Sequence, residues 1–409
     1  MPGDFFMSLR NKTVSGLRWI FWGQVLQRPI DLLLSVALAR LLVPEDFGLV
    51  GIASFFINFV RIVLQSWFEA FVIRNSNLNK KEAFELTYLS GLIGLILSGG
   101  YFILAPLVSE YFTTPELLSV IRTLAPAILF VSLIQVPSAY IRSQMNFRSQ
   151  TIISIASSFT SSAVALTLAW RGFGYWALVF QILSVNLIQV LLSFYICGLE
   201  FIWSWNSNLF RKLWLDGKGI VGFNLVNFFS RNIDDMLVGK FIGIGDLGLY
   251  SRSYYLMMLP ITQINGIASA VLMPTLSKLA GDLQRLRHGY LEVIRLLTLL
   301  GFPLIAGLVC VIKPLILTFW GVKWVGVARP FEILCLVGVM QIVTNPTGWI
   351  LTILNQGQML WRWGIASSII IISGFLVGVY FRTVEAVCWS YLITNLLLFI
   401  PCNLMVCRK

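Results

Sequence analysis

Two stretches, one in each half of the sequence, place an arginine three residues before an aspartate inside an apolar segment. The first holds Arg28 and Asp31, and the second holds Arg231 and Asp234. Amide side chains precede both pairs, at Gln24, Gln27, Asn224 and Asn227. Residues three or four positions apart share one face of a helix. Each segment would therefore present a cation, a carboxylate and amides along one polar stripe.

Each polar stripe has groups that suit a phosphorylated sugar. A guanidinium in a partly dehydrated site makes paired, charge-assisted hydrogen bonds to phosphate or pyrophosphate. Amide side chains can hydrogen-bond to sugar hydroxyls. The alternative for each Arg–Asp pair is an ion pair that only locks helices together. We predict a substrate-binding set of Gln24, Gln27, Arg28, Asp31, Asn224, Asn227, Arg231 and Arg252.

Asp234 and Asp235 form an adjacent acidic pair inside an apolar span. Ionising two neighbouring carboxylates in a low-dielectric segment is costly, and such residues often mark ion pathways. The pair is therefore a candidate ion-coupling site for Na⁺ or H⁺, and no other cofactor is expected. The alternative is that one aspartate pairs with Arg231 while the other faces water.

The two stretches continue to match beyond these charged pairs. Asp46-Phe-Gly-Leu in the first corresponds to Asp246-Leu-Gly-Leu in the second, and Arg40 corresponds to Lys240. Both aspartates are predicted to be N-caps of the helices that follow. Arg252 lies in the second of those helices, where it either reaches a cavity or extends towards the membrane surface. A duplicated helix bundle with charge in its middle is typical of transporters.

The composition places these stripes in a membrane protein. The chain has 409 residues, of which 57% are hydrophobic and 12% are charged, and its mean hydropathy is +0.82. A span of about 20 apolar residues crosses the hydrocarbon core. We predict an all-α polytopic membrane protein with about twelve transmembrane helices, in two six-helix pseudo-repeats around a central cavity. The predicted spans are 16–42, 47–73, 86–108, 117–141, 151–169, 175–197, 220–242, 247–276, 290–312, 325–354, 363–381 and 384–406.

The net charge of +12 follows the predicted loops. Basic residues cluster in alternate loops, as in Arg74, Lys80 and Lys81, whereas an opposite loop is acidic at Glu45 and Asp46. This is the positive-inside pattern. It predicts a multi-pass protein with an even number of spans and both termini in the cytoplasm. Nucleic-acid binding is not needed to explain the charge.

The longest predicted loop divides the chain. Segment 199–217 interleaves tryptophans with basic residues, which is typical of a segment lying on the cytoplasmic leaflet. We therefore predict an N-terminal half at 1–198, a cytoplasmic interfacial linker at 199–217 and a C-terminal half at 218–409. Six spans in each half would give both repeats the same orientation, with a cavity between them.

Signatures of enzymes and metal sites are absent from the sequence. It contains no phosphate-binding GxxxxGK[ST] loop and no G-x-S-x-G elbow, and its six cysteines show no CxxC spacing. The single histidine, His288, lies in a basic loop. We predict that the chain is not an enzyme. A polytopic glycosyltransferase or polymerase is a weaker alternative. It would need an acidic pair at a periplasmic membrane face with a large loop nearby, and the only candidate, Glu45–Asp46, lies in a loop of a few residues.

Several motifs carry a resemblance to a known family. They are Ser15-Gly16-Leu17-Arg18-Trp19, Pro44-Glu45-Asp46-Phe47-Gly48-Leu49-Val50, Ser230-Arg231-Asn232-Ile233-Asp234-Asp235, Leu247-Gly248-Leu249-Tyr250-Ser251-Arg252, Phe302-Pro303-Leu304-Ile305-Ala306-Gly307 and Phe319-Trp320-Gly321-Val322-Lys323-Trp324. Together they resemble the polysaccharide transporter family, the Wzx-like flippases of the multidrug/oligosaccharidyl-lipid/polysaccharide exporter superfamily. The similarity runs through nearly the whole chain in order.

The resemblance implies a function. It implies that the chain moves an undecaprenyl-pyrophosphate-linked oligosaccharide from the cytoplasmic to the periplasmic leaflet of a bacterial inner membrane. The mechanism would be alternating access, serving lipopolysaccharide, capsule or exopolysaccharide synthesis alongside polymerase and assembly proteins. The main alternative is a cation-coupled small-molecule or drug antiporter of the same superfamily.

Two features depart from the family pattern. Similar proteins commonly continue for about two more spans. Where they usually have a glycine-rich end to the second helix, this chain has Ser66-Trp67-Phe68-Glu69, with Arg61 two helical turns before Glu69 on one face. The bulky tryptophan and the acid are expected to reshape the cavity entrance.

Overall fold

A computed structural model describes residues 2–75, 78–198, 207–279 and 281–407. Those residues form helices and short connections, without strands, so the predicted all-α fold is confirmed. The helices are α1 (Pro2–Leu41), α2 (Pro44–Leu64), a π-helix (Gln65–Glu69), α3 (Ala70–Arg74), α4 (Lys80–Phe112), α5 (Glu116–Ser143), α6 (Phe147–Trp170), α7 (Trp176–Cys197), α8 (Ser207–Phe241), α9 (Ile244–Ser277), α10 (Leu283–Phe319), a 3₁₀-helix (Val322–Val327), α11 (Ala328–Ile353), α12 (Gly357–Tyr380) and α13 (Val384–Cys407).

Nine helical segments in the described part of the chain are long and apolar enough to cross a membrane. They are 22 to 37 residues long, whereas about 20 residues suffice for the hydrocarbon core. The protein is therefore a multi-pass membrane protein. The three other predicted spans fall on α1, α8 and α9, so the total of about twelve stays a prediction.

The chain divides into two compact units, an N-terminal unit, Met1–Phe228, and a C-terminal unit, Phe229–Lys409. The boundary falls inside α8. In the N-terminal unit, α4 and α7 pack on α5, and α6 packs on both α1 and α7. In the C-terminal unit, α11 packs against α9, α10 and α13, and α12 packs on α13. Residues 199–206 of the predicted interfacial linker lie outside the described residues.

The repeated aspartates begin helices, but not as N-caps, so that part of the prediction is wrong. The N-cap of α2 is Val43, and Asp46 lies in the first turn, where its Oδ2 accepts a 3.1 Å hydrogen bond from the Val43 N–H. Asp246 likewise lies in the first turn of α9, after the N-cap Gly243. A carboxylate in the first turn is favoured by the helix dipole. The aspartates therefore stabilise the helix start from the first turn and not from the N-cap position.

Gly378 allows the close approach of α12 to α13. A Cβ atom at Gly378 would lie 2.8 Å from the Cα of Val387 and 3.1 Å from the carbonyl oxygen of Ala386. Both are backbone atoms, so a side-chain rotation cannot relieve the overlap. The helices would have to separate.

We expect Gly378→Val to destabilise the folded protein by about 3 kcal/mol, at the upper end for overpacking a core. Gly364→Val, on the same helix, is the matched control because a Cβ there meets nothing within 4 Å. Thermal unfolding of both purified variants in detergent would test this. Equal melting temperatures would contradict the close-approach role of Gly378.

Candidate functional site

The polar stripe of α1 is held by α6. Ser154 Oγ donates a 2.7 Å hydrogen bond to Gln27 Oε1, and Ser158 Oγ donates a 2.9 Å bond to Asp31 Oδ1. Arg28 is exposed, and its Nη2 makes a long 3.4 Å bond to Gln24 Oε1. Within the described residues, Arg28 forms no ion pair with Asp31. The ion pair of the alternative is therefore not found in the described residues. Asp31 instead joins α1 to α6, and the Arg28 guanidinium stays exposed.

Small residues let α6 approach α1 closely enough to make these bonds. A Cβ at Gly23 would lie 2.5 Å from Thr151 Cγ2, and Thr151 Oγ1 donates to the Trp19 carbonyl oxygen at 3.3 Å. Thr151, Ser154 and Ser158 recur at helical spacing. This hydroxyl stripe was not among the residues predicted from the sequence. Its three- and four-residue period was the signal that could have revealed it.

Arg61 and Glu69 of the second span have separate partners. Arg61 Nη2 donates to Asn186 Oδ1 at 3.1 Å, whereas Glu69 forms a 2.9 Å ion pair with Arg142 of α5. Arg61 precedes the π-helix Gln65–Glu69, and Glu69 is its last residue. A π-helical turn holds more residues than an α-helical turn and so changes which residues share a face. Among the described residues Arg61 makes no ion pair, and its Nε is buried without a hydrogen bond.

The Glu69–Arg142 pair is largely covered by protein, with side-chain exposures of 15% and 31%. We expect Glu69→Gln to destabilise the protein by about 3 kcal/mol, because it leaves the Arg142 charge without its partner. The double variant Glu69→Gln/Arg142→Gln should lose less, since no lone charge remains. Thermal unfolding in detergent is the measurement.

Glu292→Gln provides the comparison for that experiment. Glu292 and Arg295 form a 3.9 Å ion pair with exposures of 57% and 81%. Exposed pairs contribute about 0–1 kcal/mol, so Glu292→Gln should change the stability little.

The outcome that would contradict the prediction concerns the double variant. If Glu69→Gln/Arg142→Gln is less stable than Glu69→Gln alone, the two charges do not compensate each other.

The two predicted amides of α8 differ in their surroundings. Asn224 Nδ2 donates a 2.6 Å hydrogen bond to Ser66 Oγ, within the π-helix. Ser66 Oγ in turn donates to the Ile62 carbonyl oxygen at 2.5 Å. Asn227 is exposed. Asn224 therefore holds α8 against the end of the second span, a role that the spacing to Arg231 did not indicate.

The C-terminal unit buries a single carboxylate of the predicted acidic pair. Asp234 is 5% exposed, whereas Asp235 is half-buried and Arg231 is exposed. The Tyr250 hydroxyl donates a 2.6 Å hydrogen bond to Asp234 Oδ2. Asp234 Oδ1 is buried and accepts no hydrogen bond within the described part of the chain. There, Asp234 also forms no ion pair with Arg231. In the described residues, Tyr250 thus holds one carboxylate oxygen of Asp234, and the other oxygen is buried without a partner.

Aromatic rings continue from this carboxylate across three helices. Ring centroids lie 6.3 Å apart for Tyr250 and Tyr254, 6.4 Å for Tyr254 and Tyr391, and 5.0 Å for Tyr391 and Phe375, which are stacked. Gln341 Nε2 donates to the Tyr391 hydroxyl at 3.1 Å. Tyr391, Phe375 and Gln341 come from three further helices. They were not predicted from the sequence, because nothing in their local pattern sets them apart from packing residues.

Arg252, the remaining predicted residue, is half-buried and lies two residues after Tyr250, the partner of Asp234, about half a helical turn round α9. Its guanidinium carbon lies 5.8 Å from the centre of the Tyr255 ring, within range of a cation–π contact. The structure therefore places Arg252 on the same helix as the carboxylate's partner.

Solved structures share this fold. "Lipid II flippase MurJ, inward closed conformation" matches with a TM-score of 0.77 and 14% identity, over 96% of this chain and 87% of that one. An inward-facing multidrug resistance MATE family transporter of the MOP superfamily matches with a TM-score of 0.71 and 14% identity, over 93% and 95% of the two chains. At these identities the likeness shows the fold.

Sequence comparison shows the family. The teichuronic acid biosynthesis protein TuaB of Bacillus subtilis (strain 168) is 25% identical, over 96% of this chain and 82% of its own length. The lipopolysaccharide biosynthesis protein WzxC of Escherichia coli (strain K12) is also 25% identical, over 91% and 76% of the two chains. A family described as "Polysaccharide biosynthesis protein" matches residues 37–329, which is more than half of the chain. The chain belongs to this polysaccharide biosynthesis protein family.

Proposed function

We propose that this chain is a flippase that carries a lipid-linked oligosaccharide across the membrane for surface polysaccharide synthesis. The family, the relatives in lipopolysaccharide and teichuronic acid biosynthesis and the fold shared with a lipid II flippase support this function. The observation that carries it is the exposed guanidinium of Arg28. It stands without a carboxylate partner in the described residues, beside an amide on its own helix.

The α1–α6 stripe suits the head group of such a substrate. Arg28 is proposed to bind the pyrophosphate through its donor fork. Gln24 and Gln27 supply amides, and the Ser158 bond to Asp31 keeps that carboxylate from competing for the arginine. Arg61, fixed by Asn186, supplies a second guanidinium in the N-terminal unit. The carrier lipid in this proposal is an undecaprenyl pyrophosphate.

Asp234 is proposed to couple transport to a cation gradient. Its buried Oδ1 offers an unfilled acceptor position, while the Tyr250 hydroxyl holds Oδ2. A carboxylate in this setting is stabilised by taking up H⁺ or Na⁺. Asp235 is proposed to contribute as the adjacent charge, and Arg231, Asn227 and Arg252 as polar groups that act on the substrate.

We place the chain in the bacterial inner membrane with both termini in the cytoplasm, and the charge at the helix ends supports this orientation. Consecutive spans run in opposite directions, so the end of α3, the start of α4 and the end of α5 lie on one side. That side carries Arg74, Lys80 and Arg142, whereas the other carries Glu45 and Glu116. This is the positive-inside arrangement. Polysaccharide polymerase and assembly proteins are the proposed partners.

Deleting the gene in the source bacterium tests the proposed function directly. We expect complete undecaprenyl-linked repeat units to accumulate and to be inaccessible to a periplasmic probe, and a plasmid copy to restore their export. Extraction of the lipid-linked glycans, with and without the probe, is the measurement. Incomplete units would indicate a glycosyltransferase instead, and a normal, accessible pool in a strain with no second flippase would favour an antiporter.

A further inference from the structure

The first turns of α8 present two different faces. Leu209 and Leu213, one helical turn apart, are 8% and 2% exposed. Arg211, Trp214 and Leu215 lie roughly opposite them on the helix and are all exposed. The exposed fractions of Trp214 and Leu215 are 57% and 53%. We call Arg211, Trp214 and Leu215 the outer face of α8.

Polar and aromatic contacts fix the start of α8 to the end of the second span, within the N-terminal unit. Trp67 Nε1 donates a 3.1 Å hydrogen bond to the Leu213 carbonyl oxygen, and the Trp67 and Trp214 ring centroids are 5.2 Å apart. Lys212 Nζ donates to Asn75 Oδ1 at 2.9 Å and lies 6.0 Å from the centre of the Phe71 ring. Because these contacts hold Lys212, Leu213 and Trp214 of α8, the outer face is kept in one orientation.

The outer face combines a tryptophan, a leucine and an arginine, and no acidic residue occurs in segment 207–215. Exposed cations also lie at the same end of the N-terminal unit, at Arg74, Lys80 and Lys81. An indole ring favours the boundary between apolar and polar surroundings, and a guanidinium there meets lipid phosphates. Anionic headgroups attract such basic segments, whereas zwitterionic headgroups do so much less.

We propose that the outer face of α8 binds the headgroups of anionic phospholipids. The tryptophan and leucine enter the interfacial layer, and Arg211 pairs with a lipid phosphate. Trp67 is a positioning residue in this arrangement, because it holds the helix through the Leu213 carbonyl and the Trp214 ring. The binding does not depend on the identity of the transported glycan.

Native mass spectrometry of the purified full chain tests this proposal. The chain in detergent is mixed with equal amounts of phosphatidylglycerol and phosphatidylcholine, and the first lipid adducts are counted. We expect wild type to prefer phosphatidylglycerol. Arg211→Gln should reduce this preference about fivefold, the usual effect of one basic residue at an anionic surface. Arg211→Lys should retain most of it.

Arg171→Gln is the matched control. Arg171 is also exposed, but it follows α6 at the opposite end of the N-terminal unit. An unchanged preference in Arg171→Gln supports binding at the outer face, and an equal loss there would overturn it in favour of a net-charge effect. Equal binding of the two lipids by wild type would also overturn it. A wild-type dimer that Trp214→Ser abolishes would likewise overturn the proposal, because a second copy of the chain would then cover the outer face.

Discussion

Replacing Asp234 with asparagine is expected to reduce translocation about tenfold or more, while the melting temperature stays the same or rises. A tenfold loss corresponds to about 1.4 kcal/mol. Asparagine retains an oxygen that can accept the Tyr250 bond, but it cannot bind and release a proton and holds Na⁺ without charge neutralisation. Removing a buried charge also removes its desolvation cost. Lost transport without lost stability is therefore what a coupling role predicts and a structural role does not.

The measurement is the movement of a labelled lipid-linked oligosaccharide between the leaflets of proteoliposomes, followed by its accessibility to an external probe, with Na⁺ or pH gradients imposed in turn. One of the two gradients is expected to drive transport by wild type, and that gradient should no longer stimulate transport by Asp234→Asn. Tyr250→Phe, which removes only the hydrogen-bond donor to Oδ2, should have an intermediate effect. Asp235→Asn is measured alongside, so that the contribution of each carboxylate to coupling can be distinguished. Transport by Asp234→Asn at the wild-type rate, still stimulated by the gradient, would rule out this carboxylate as the coupling group.

Replacing Arg28 or Arg231 with alanine is expected to reduce translocation roughly 10- to 100-fold without changing the amount of protein in the membrane. Hydrogen bonds to a charged group contribute about 1.5–3 kcal/mol each, and each variant would lose the guanidinium that is proposed to act on the substrate. Both side chains are exposed in the described part of the chain. Their loss should therefore cost little stability. Arg28→Lys should restore part of the activity, since it keeps the charge but not the planar fork.

The matched control for Arg28 is Arg18→Ala, because Arg18 is an exposed arginine on the same helix, nearer its start. The same proteoliposome assay compares the rates, and membrane fractionation measures insertion. Wild-type transport by both Arg28→Ala and Arg231→Ala would remove these arginines from the proposed substrate site. A loss of insertion in parallel with activity would indicate that they act in folding.

Much of the fold is accessible from the sequence because membrane helices follow from local composition. The last predicted span, 384–406, nearly coincides with α13, Val384–Cys407. The predicted span 290–312 lies inside the longer α10, Leu283–Phe319. Hydropathy detects only the part of a helix that suits the hydrocarbon core, whereas hydrogen bonding continues the helix beyond it. Span positions are thus predictable, and helix ends are less so.

The membrane class, the duplicated Arg-x-x-Asp segments and the family can be predicted without a structure, because they depend on composition and on residue order along the chain. Which polar groups form hydrogen bonds with each other is seen only in the tertiary structure. It pairs Asp31 with Ser158 and Asp234 with Tyr250, and it joins Trp67 to the Leu213 carbonyl through a π-helical turn. Periodicity assigns a residue to a helix face, but the partner of that face depends on how helices distant in sequence pack.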